Sequence, residues 1–127
     1  MFIPDPLFAG KRVLVVEDES LVAMLIEGLL EECACSIVGP CSTFEKALEA
    51  ARTETFDLAV LDVNLRGKKV YPVAELLSER NIPFLFLSGY SDEAIPPDRD
   101  DWKVCAKPFK GDDLVKMMSA ALLAETH

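Results

Sequence analysis

Five side chains that could take part in phosphate or metal chemistry stand where short apolar runs of this chain end. Glu17 and Asp18 follow the first run, and Asp62 ends the third. Ser88 and Lys107 come after the fourth and fifth runs. Carboxylates are ligands that Mg²⁺ prefers, while a hydroxyl and an ammonium can bind phosphoryl oxygens. The set predicts in-line phosphoryl transfer onto a carboxylate, with Asp62 as the nucleophile.

Each of these side chains also has an ordinary structural explanation. Glu17 and Asp18 could cap a helix N-terminus, where carboxylates are favoured, and Asp62 could be a turn residue or a cap. Ser88 could be a turn hydroxyl and Lys107 a solvated surface charge. Carboxylates in contact repel one another by ~4 kcal/mol per pair at an effective dielectric of ~20. Either the three acids are spread apart as solvated caps, or a divalent cation such as Mg²⁺ neutralises them.

The elements that must position these residues alternate between strand and helix. Short runs rich in branched and aromatic side chains are typical of parallel strands buried on both faces. The predicted strands span residues 12–16, 36–38, 56–62, 83–87 and 102–105. The fold class is therefore α/β: a doubly wound, five-stranded parallel sheet, flavodoxin-like with the order 2-1-3-4-5, and helices on both faces. In such a sheet the carboxyl ends of the first and third strands flank the ligand crevice.

Polar residues mark the predicted helix ends. Ser20 is expected to cap the first helix, and Ser42 with Glu45 predicts a capping box for the second. Pro72 suits the first turn of the third helix, and Asn81 is expected to end it.

Turn formers predict the connections. Residues 39–40, a Gly-Pro pair, are expected to close the second strand, and residues 66–69 form a predicted polar loop. The acidic segment 91–101 contains two consecutive prolines at 96–97, so the fourth helix is predicted to be short or irregular.

The composition describes one acidic domain. The chain has 127 residues and a formal net charge of −9, which argues against nucleic acid and anionic membranes as partners. No apolar run approaches the ~20 residues that span a bilayer, and the start lacks the pattern of a signal peptide. We expect an N-terminal tail over residues 1–10, one domain over 11–127 with no output domain after it, and a cytoplasmic location.

The cysteines suggest no metal centre. Cys33, Cys35, Cys41 and Cys105 show no repeated CxxC spacing, and the one histidine is His127. Zinc sites usually combine such pairs, so we expect reduced cysteines, several of them buried as small apolar side chains.

Four motifs, in order and spacing, resemble the receiver domain of two-component response regulators: VLVVEDE at 13–19, LDVNL at 61–65, LSGY at 87–90 and KPF at 107–109. The resemblance covers the chain from about Lys11 onward. It implies that a histidine kinase or phosphotransfer protein phosphorylates Asp62 in a phosphorelay.

The resemblance also implies roles for the other site residues. Asp18 and Asp62 would bind Mg²⁺ directly, Glu17 would bind it through water, and the backbone carbonyl of Asn64 would complete the protein ligands. Ser88 and Lys107 would contact the phosphoryl oxygens. The bond between Lys107 and the proline after it would be cis, which would aim the lysine inward.

The chain departs from the common receiver pattern at positions whose side chains move on phosphorylation in many receivers. Many receivers carry an aromatic residue three positions before the lysine, and this chain has Val104 there. Trp102 lies two residues earlier on the same strand face and could substitute, or could be a partly buried strand aromatic. Tyr90 could cover the phosphate or be an exposed ring. The segment from residue 83 to 90, PFLFLSGY, resembles the PFxFATGY signature of a single-domain receiver subfamily, with Leu87 and Ser88 in place of its Ala and Thr.

The sequence is identified as a single-domain response regulator that catalyses only its own phosphorylation and dephosphorylation. It would signal through an unknown downstream protein as a monomer or weak homodimer. A phosphate sink or relay intermediate is an alternative within the same fold. A small aspartyl-phosphate phosphatase is a further alternative, but its acid/base carboxylate would fall at Asn64, which cannot take up protons. A degenerate receiver serving as a binding module would lack site residues that this chain retains.

Overall fold

Strands and helices alternate along the part of the chain that the structure, a computed structural model, describes, residues 7–89 and 102–124. Within these residues there are seven strands: β1 Arg12–Val16, β2 Ser36–Cys41, β3 Leu58–Asp62, β4 Asn64–Leu65, β5 Lys68–Lys69, β6 Phe84–Ser88 and β7 Val104–Ala106. The described helices are α1 Ser20–Glu32, α2 Phe44–Thr53, α3 Tyr71–Glu79 and α4 Gly111–Ala124. None of these helices is long and apolar enough to cross a membrane.

Five strands form one parallel sheet in the order β2-β1-β3-β6-β7. Counted along the chain, this is the predicted order 2-1-3-4-5, so the predicted fold class is confirmed. The register aligns the strand ends, because Val16 pairs with Leu61 and Asp62 pairs with Leu87. The residues that follow β1, β3 and β6 therefore meet at one edge of the sheet.

The sheet is buried on both faces, which explains its unbroken apolar strands. Leu14 and Val16 of β1 face the layer formed with α2 and α3. Val13 and Val15 face the opposite layer, formed with α1 and α4. Phe8 is also buried in this second layer, so the segment expected to be a tail contributes a core side chain.

Both predicted helix caps are wrong by one residue. Ser20 is the first residue of α1, and the cap position is Glu19, whose side chain makes no capping hydrogen bond. In α2 the cap is Thr43 rather than Ser42, because its backbone is extended and its hydroxyl accepts a hydrogen bond from the Lys46 N–H at 3.2 Å. Capping depends on the backbone conformation of a single residue, which neighbouring hydroxyl residues do not reveal.

The end of the third helix agrees with the sequence. Pro72 lies in the first turn of α3. Asn81 follows the cap position and adopts a φ of 60°, a left-handed conformation that Asn tolerates and that stops a helix.

The Gly39–Pro40 pair does not close β2, which was predicted to end at residue 38. The strand continues to Cys41 through an irregularity in its pairing with β1, and Gly39 has a φ of 99° there. A Cβ atom at Gly39 would lie 2.8 Å from the Cys41 nitrogen and 2.9 Å from the Val15 carbonyl oxygen. Only glycine fits this position without moving the backbone.

The predicted polar loop at 66–69 is partly a hairpin. Strands β4 and β5 pair antiparallel around Arg66 and Gly67, whose φ angles of 51° and 89° are those of a tight hairpin turn. The last strand of the sheet, β7, starts two residues later than predicted. The predicted short fourth helix lies outside the described residues.

The four cysteines are buried and form no disulfide, as expected. Burial raises the pKa of the Cys35 thiol to about 11, and it also raises the pKa values of Cys41 and Cys105. These thiols are therefore protonated and poorly nucleophilic at neutral pH.

Candidate functional site

Four carboxylates meet at the carboxyl edge of the sheet. Glu17 and Asp62 are only 1% and 5% exposed, Asp18 is half-buried and Glu19 is exposed. One oxygen from each of the four lies within 4.8 Å of the others. The neighbouring strands β1 and β3 end side by side, and this brings together acids 45 positions apart in the sequence, the separation of Glu17 from Asp62.

Lys107 reaches into this group from the loop after β7. Its Nζ lies 3.0 Å from Glu17 Oε1, 3.2 Å from Glu19 Oε1 and 3.5 Å from Asp62 Oδ2. The Lys107 backbone N–H donates to the Ser88 carbonyl oxygen at 2.8 Å, which fixes the lysine at the end of β6. The bond to Pro108 is cis, as the resemblance implied. The predicted lysine therefore lies among the predicted acids.

The cluster changes the protonation of its members. Burial, and then Glu17 beside it, raise the pKa of the Asp62 carboxyl to about 8, although the positive charge of Lys107 opposes the change. Burial lowers the pKa of Lys107, but Glu17, Asp62 and Glu19 outweigh this and leave it raised. Lys107 thus stays a cation, and the Asp62 carboxyl retains its proton near neutral pH unless another cation replaces it.

The donor set fits a hard divalent cation. Glu17 Oε1 is buried and accepts no hydrogen bond, since the nearby Lys107 ammonium lies at ion-pair distance without hydrogen-bond geometry. Asp18 uses one oxygen to accept the Arg66 N–H at 3.0 Å, which leaves its other oxygen available. Buried polar atoms normally have a partner. A small cation with oxygen ligands, such as Mg²⁺, would satisfy this one.

Ser88 and Asn64 lie at the same edge but face their own loops. Ser88 is buried, and its hydroxyl donates to the Gly89 carbonyl oxygen at 2.9 Å. The Asn64 N–H donates weakly to Asp62 Oδ1 at 3.4 Å, and its side-chain oxygen accepts the Gly67 N–H at 2.9 Å. Asn64 therefore contacts the carboxylate cluster through its backbone N–H, whereas the Ser88 hydroxyl is engaged by Gly89 at the end of the neighbouring strand.

The predicted switch residues separate into two environments. Val104 on β7 is 36% exposed. Trp102 is buried, with ring centres 5.2 Å from Phe86, 5.6 Å from Phe84 and 6.0 Å from Tyr71. Trp102 is thus a core aromatic, more fully buried than the sequence suggested and placed before β7 begins. Tyr90 lies outside the described residues.

Sequence reasoning missed Glu19 as a site residue. The available signal was its place as the third acid of the run 17–19, directly after a strand that ends at the ligand edge. Its contact with Lys107 depends on side chains 88 positions apart and could not be seen from spacing alone.

A doubly wound parallel sheet with acids and a lysine at its carboxyl edge defines a class of protein, the receiver domains of two-component signalling. The chain belongs to the response regulator receiver domain family, whose profile matches residues 13–119. Receiver domains generally bind Mg²⁺ in their acidic cleft and interact with histidine kinases or phosphotransfer proteins. Membership of the PFxFATGY subfamily remains a prediction.

Individual relatives agree with this assignment. The chain is 30% identical over 116 residues to the transcriptional regulatory protein PdtaR of Mycobacterium tuberculosis, covering 88% of this chain and 57% of that protein. The chain thus spans little more than half the length of this curated relative.

Two solved structures show the same fold. SdrG from Sphingomonas melonis Fr1 is 43% identical, with a TM-score of 0.79 over 90% of this chain and 97% of that one. The receiver domain of sensor histidine kinase PA1611 from Pseudomonas aeruginosa PAO1, solved with a magnesium ion in its active-site cleft, is 22% identical, with a TM-score of 0.72 over 90% and 98% of the two chains.

Proposed function

We propose that this chain is a phosphoacceptor that receives a phosphoryl group on Asp62 from a histidine kinase or phosphotransfer protein, in the presence of Mg²⁺, and signals through protein contacts. The observation that supports this most directly is the position of Asp62. Its carboxylate ends a buried strand, 3.5 Å from the Lys107 ammonium and among other acids. We propose that this takes place in the cytoplasm.

The chemistry requires a free carboxylate oxygen in line with the donor. The P–N bond of a phosphohistidine breaks and a P–O bond forms to Asp62, while the imidazole nitrogen takes the electron pair and later a proton. Asp62 must be ionised to attack, and the adjacent Lys107 ammonium favours that form. Lys107 would then bind a phosphoryl oxygen and offset the charge that gathers on the group.

Mg²⁺ would supply the remaining positive charge when it is bound. The residues that would hold it are Asp18 and Asp62 directly, Glu17 through water, and the backbone carbonyl of Asn64. The buried Glu17 Oε1, which accepts no hydrogen bond, and the Asp18 carboxylate close to it support this assignment.

Ser88 would act after transfer. Its hydroxyl is turned towards Gly89 in the structure and would rotate to donate to a phosphoryl oxygen. We infer that this rotation moves the backbone at Gly89, at the end of β6, and so changes the surface that a partner would bind. Because Val104 carries no ring, the aromatic movement of many receivers is not available at that position.

The role of Asp62 can be tested by phosphorylation with acetyl phosphate and Mg²⁺, followed by intact mass measurement. We expect one phosphoryl group on the wild type, and none on Asp62→Asn or in the presence of EDTA. Asp57→Asn is a matched control, because Asp57 begins the same strand segment at the opposite edge, where it accepts the Arg12 N–H at 2.9 Å. Failure of the wild type to incorporate phosphate, or normal incorporation by Asp62→Asn, would refute the proposal.

The lifetime of the phosphorylated form separates an output regulator from a sink. A regulator needs phosphorylated protein that persists long enough to bind a target, whereas a sink needs only rapid loss of phosphate. Amide NMR shifts of residues 88–105, compared before and after phosphorylation, would detect the switch. Unchanged shifts in this segment would contradict the proposed movement. Turnover of an external phosphomonoester would instead indicate a phosphatase.

A further inference from the structure

The three carboxylates around Lys107 differ in what the proposed function requires of them. Glu17 and Asp62 are buried and would be engaged by the cation and the phosphoryl group. Glu19 has a side chain that is 62% exposed, and it approaches the ammonium from the solvent side at 3.2 Å. Among the described residues, Lys107 is the one cation that the Glu19 carboxylate contacts. Glu19 also lies within 4.8 Å of the other three acids, but on the exposed side of the cluster, and its ion pair with Lys107 is the contact that its carboxylate makes directly.

The local backbone holds Glu19 in place for that contact. Its N–H donates to Glu17 Oε2 at 3.1 Å, and its extended backbone occupies the cap position of α1. The side chains that usually accept hydrogen bonds from the first turn of a helix at this position are the short ones of Ser, Thr, Asp and Asn. The Glu19 side chain makes no such bond and reaches Lys107 instead. The sequence thus leaves α1 without a side-chain cap while Glu19 binds the lysine.

We propose that Glu19 is a positioning residue that holds the Lys107 ammonium at the mouth of the cleft and competes with the phosphoryl group for it. This inference rests on the proposed phosphoacceptor function and extends it to one more residue. A phosphoryl group on Asp62 needs the ammonium, and the exposed Glu19 carboxylate is the partner that Lys107 must then release or share.

Two effects act in the same direction when Glu19 loses its charge. The ammonium loses a competing partner, and the phosphoryl group loses a negative neighbour across the cleft. Because the contact is largely exposed, solvent screens it and the effect is small. We expect Glu19→Gln to bind a phosphoryl mimic about two- to fivefold more tightly than the wild type, the range set by exposed ion pairs.

The test is a titration of the full chain with beryllofluoride at fixed Mg²⁺, followed by ¹⁹F NMR. Glu19→Gln should show the gain, and Glu19→Asp, which keeps the charge, should lie nearer the wild type. Glu31→Gln is the matched charge control, because Glu31 is exposed on the same helix about 18 Å further along its axis, and it should bind like the wild type. Mg²⁺ affinity, measured separately without beryllofluoride, should fall by no more than about twofold in Glu19→Gln, because the lost charge is exposed and screened by solvent.

A double-mutant cycle shows whether Glu19 acts through Lys107. In the Lys107→Gln background, Glu19→Gln should change beryllofluoride binding by less than it does in the wild type. An equal change in both backgrounds, an equal gain in Glu31→Gln, or no gain in Glu19→Gln would overturn the inference.

A tenfold or larger fall in Mg²⁺ affinity in Glu19→Gln would also overturn the inference, because it would make Glu19 a metal ligand. If the wild type binds beryllofluoride and Glu19→Gln matches it, the inference alone fails. A wild type that does not bind beryllofluoride would refute the phosphoacceptor function itself, and the inference would fall with it.

Discussion

The side chains that would carry the chemistry of this site also destabilise the folded state. Four carboxylates cluster here and three of them contact the ammonium of Lys107, while Glu17 and Asp62 are almost fully buried. Buried carboxylates in contact cannot all ionise without a counter-charge. Either a proton or a second cation must therefore accompany the native state, and the stability of the protein must depend on both.

The pH dependence of stability should reveal this conflict in metal-free protein. The folded-state pKa of Asp62, raised to about 8, lies well above the ~4 of an unfolded Asp. Between these two values the folded protein keeps a proton that the unfolded chain has released, so stability falls as pH rises through this window. Asp62→Asn removes the titration and should be more stable than the wild type in EDTA at pH ~8, by ~1 to 3 kcal/mol.

Urea unfolding at several pH values would measure this difference. Below pH ~3 the two proteins should converge, because Asp62 is then protonated in both the folded and the unfolded state. Asp57→Asn, which removes the same charge from an exposed position, should follow the wild type. If Asp62→Asn is less stable than the wild type across the whole window, the buried carboxylates do not destabilise the metal-free folded state as proposed.

The residues of the site were predictable to different degrees. Asp62, Asp18 and Lys107 could be predicted because each stands at or just after the carboxyl end of a strand, and strand ends of a parallel sheet share one edge. Glu19 could not be assigned, since its partner is fixed by a side-chain conformation of Lys107 rather than by strand position.

At the scale of elements, apolar runs predicted the sheet and its order, while local conformations were the part that failed. The strands could be found because burial on both faces leaves little freedom in their residue types. The hairpin β4–β5 was missed, since its turn places Arg66 in a left-handed conformation that arginine rarely adopts. The continuation of β2 through Gly39 was missed for a related reason, because Gly-Pro pairs usually mark turns.

Gly39 provides a direct test of that local structure. Gly39→Ala would force a positive φ on alanine and press its Cβ against two backbone atoms that cannot move aside, the Cys41 nitrogen and the Val15 oxygen. We expect a loss of about 2 to 4 kcal/mol in the free energy of unfolding. Gly28→Ala is the matched control, because Gly28 is helical with open space around it and should be stabilised by ~0.5 to 1 kcal/mol. Equal effects of the two substitutions in denaturant unfolding would contradict the close approach at Gly39.

At the scale of the whole molecule, the fold brings four separate segments of the chain to one edge. The parallel order places the ends of β1, β3 and β6 side by side, and the loop after β7 adds Lys107. This arrangement follows from right-handed crossovers between the strands and from helices that cover both faces of the sheet, so the sequence predicts it well. A protein partner is recognised by surface shape and charge, which no strand pattern encodes.

Binding of the cation should therefore raise the unfolding temperature of the whole domain. A cation that binds only the folded protein adds ~1.4 kcal/mol for each tenfold rise above its Kd, which corresponds to roughly 5 °C in Tm for a domain of this size. The wild type should gain stability with Mg²⁺, whereas Asp62→Asn, which starts higher in EDTA, should gain less because it lacks one ligand charge. The two curves of Tm against Mg²⁺ concentration should cross.

Asp57→Asn should parallel the wild type, since both share any general screening of the net charge of −9. Parallel curves for the wild type and Asp62→Asn would show that Mg²⁺ acts by screening and not at the acid cluster.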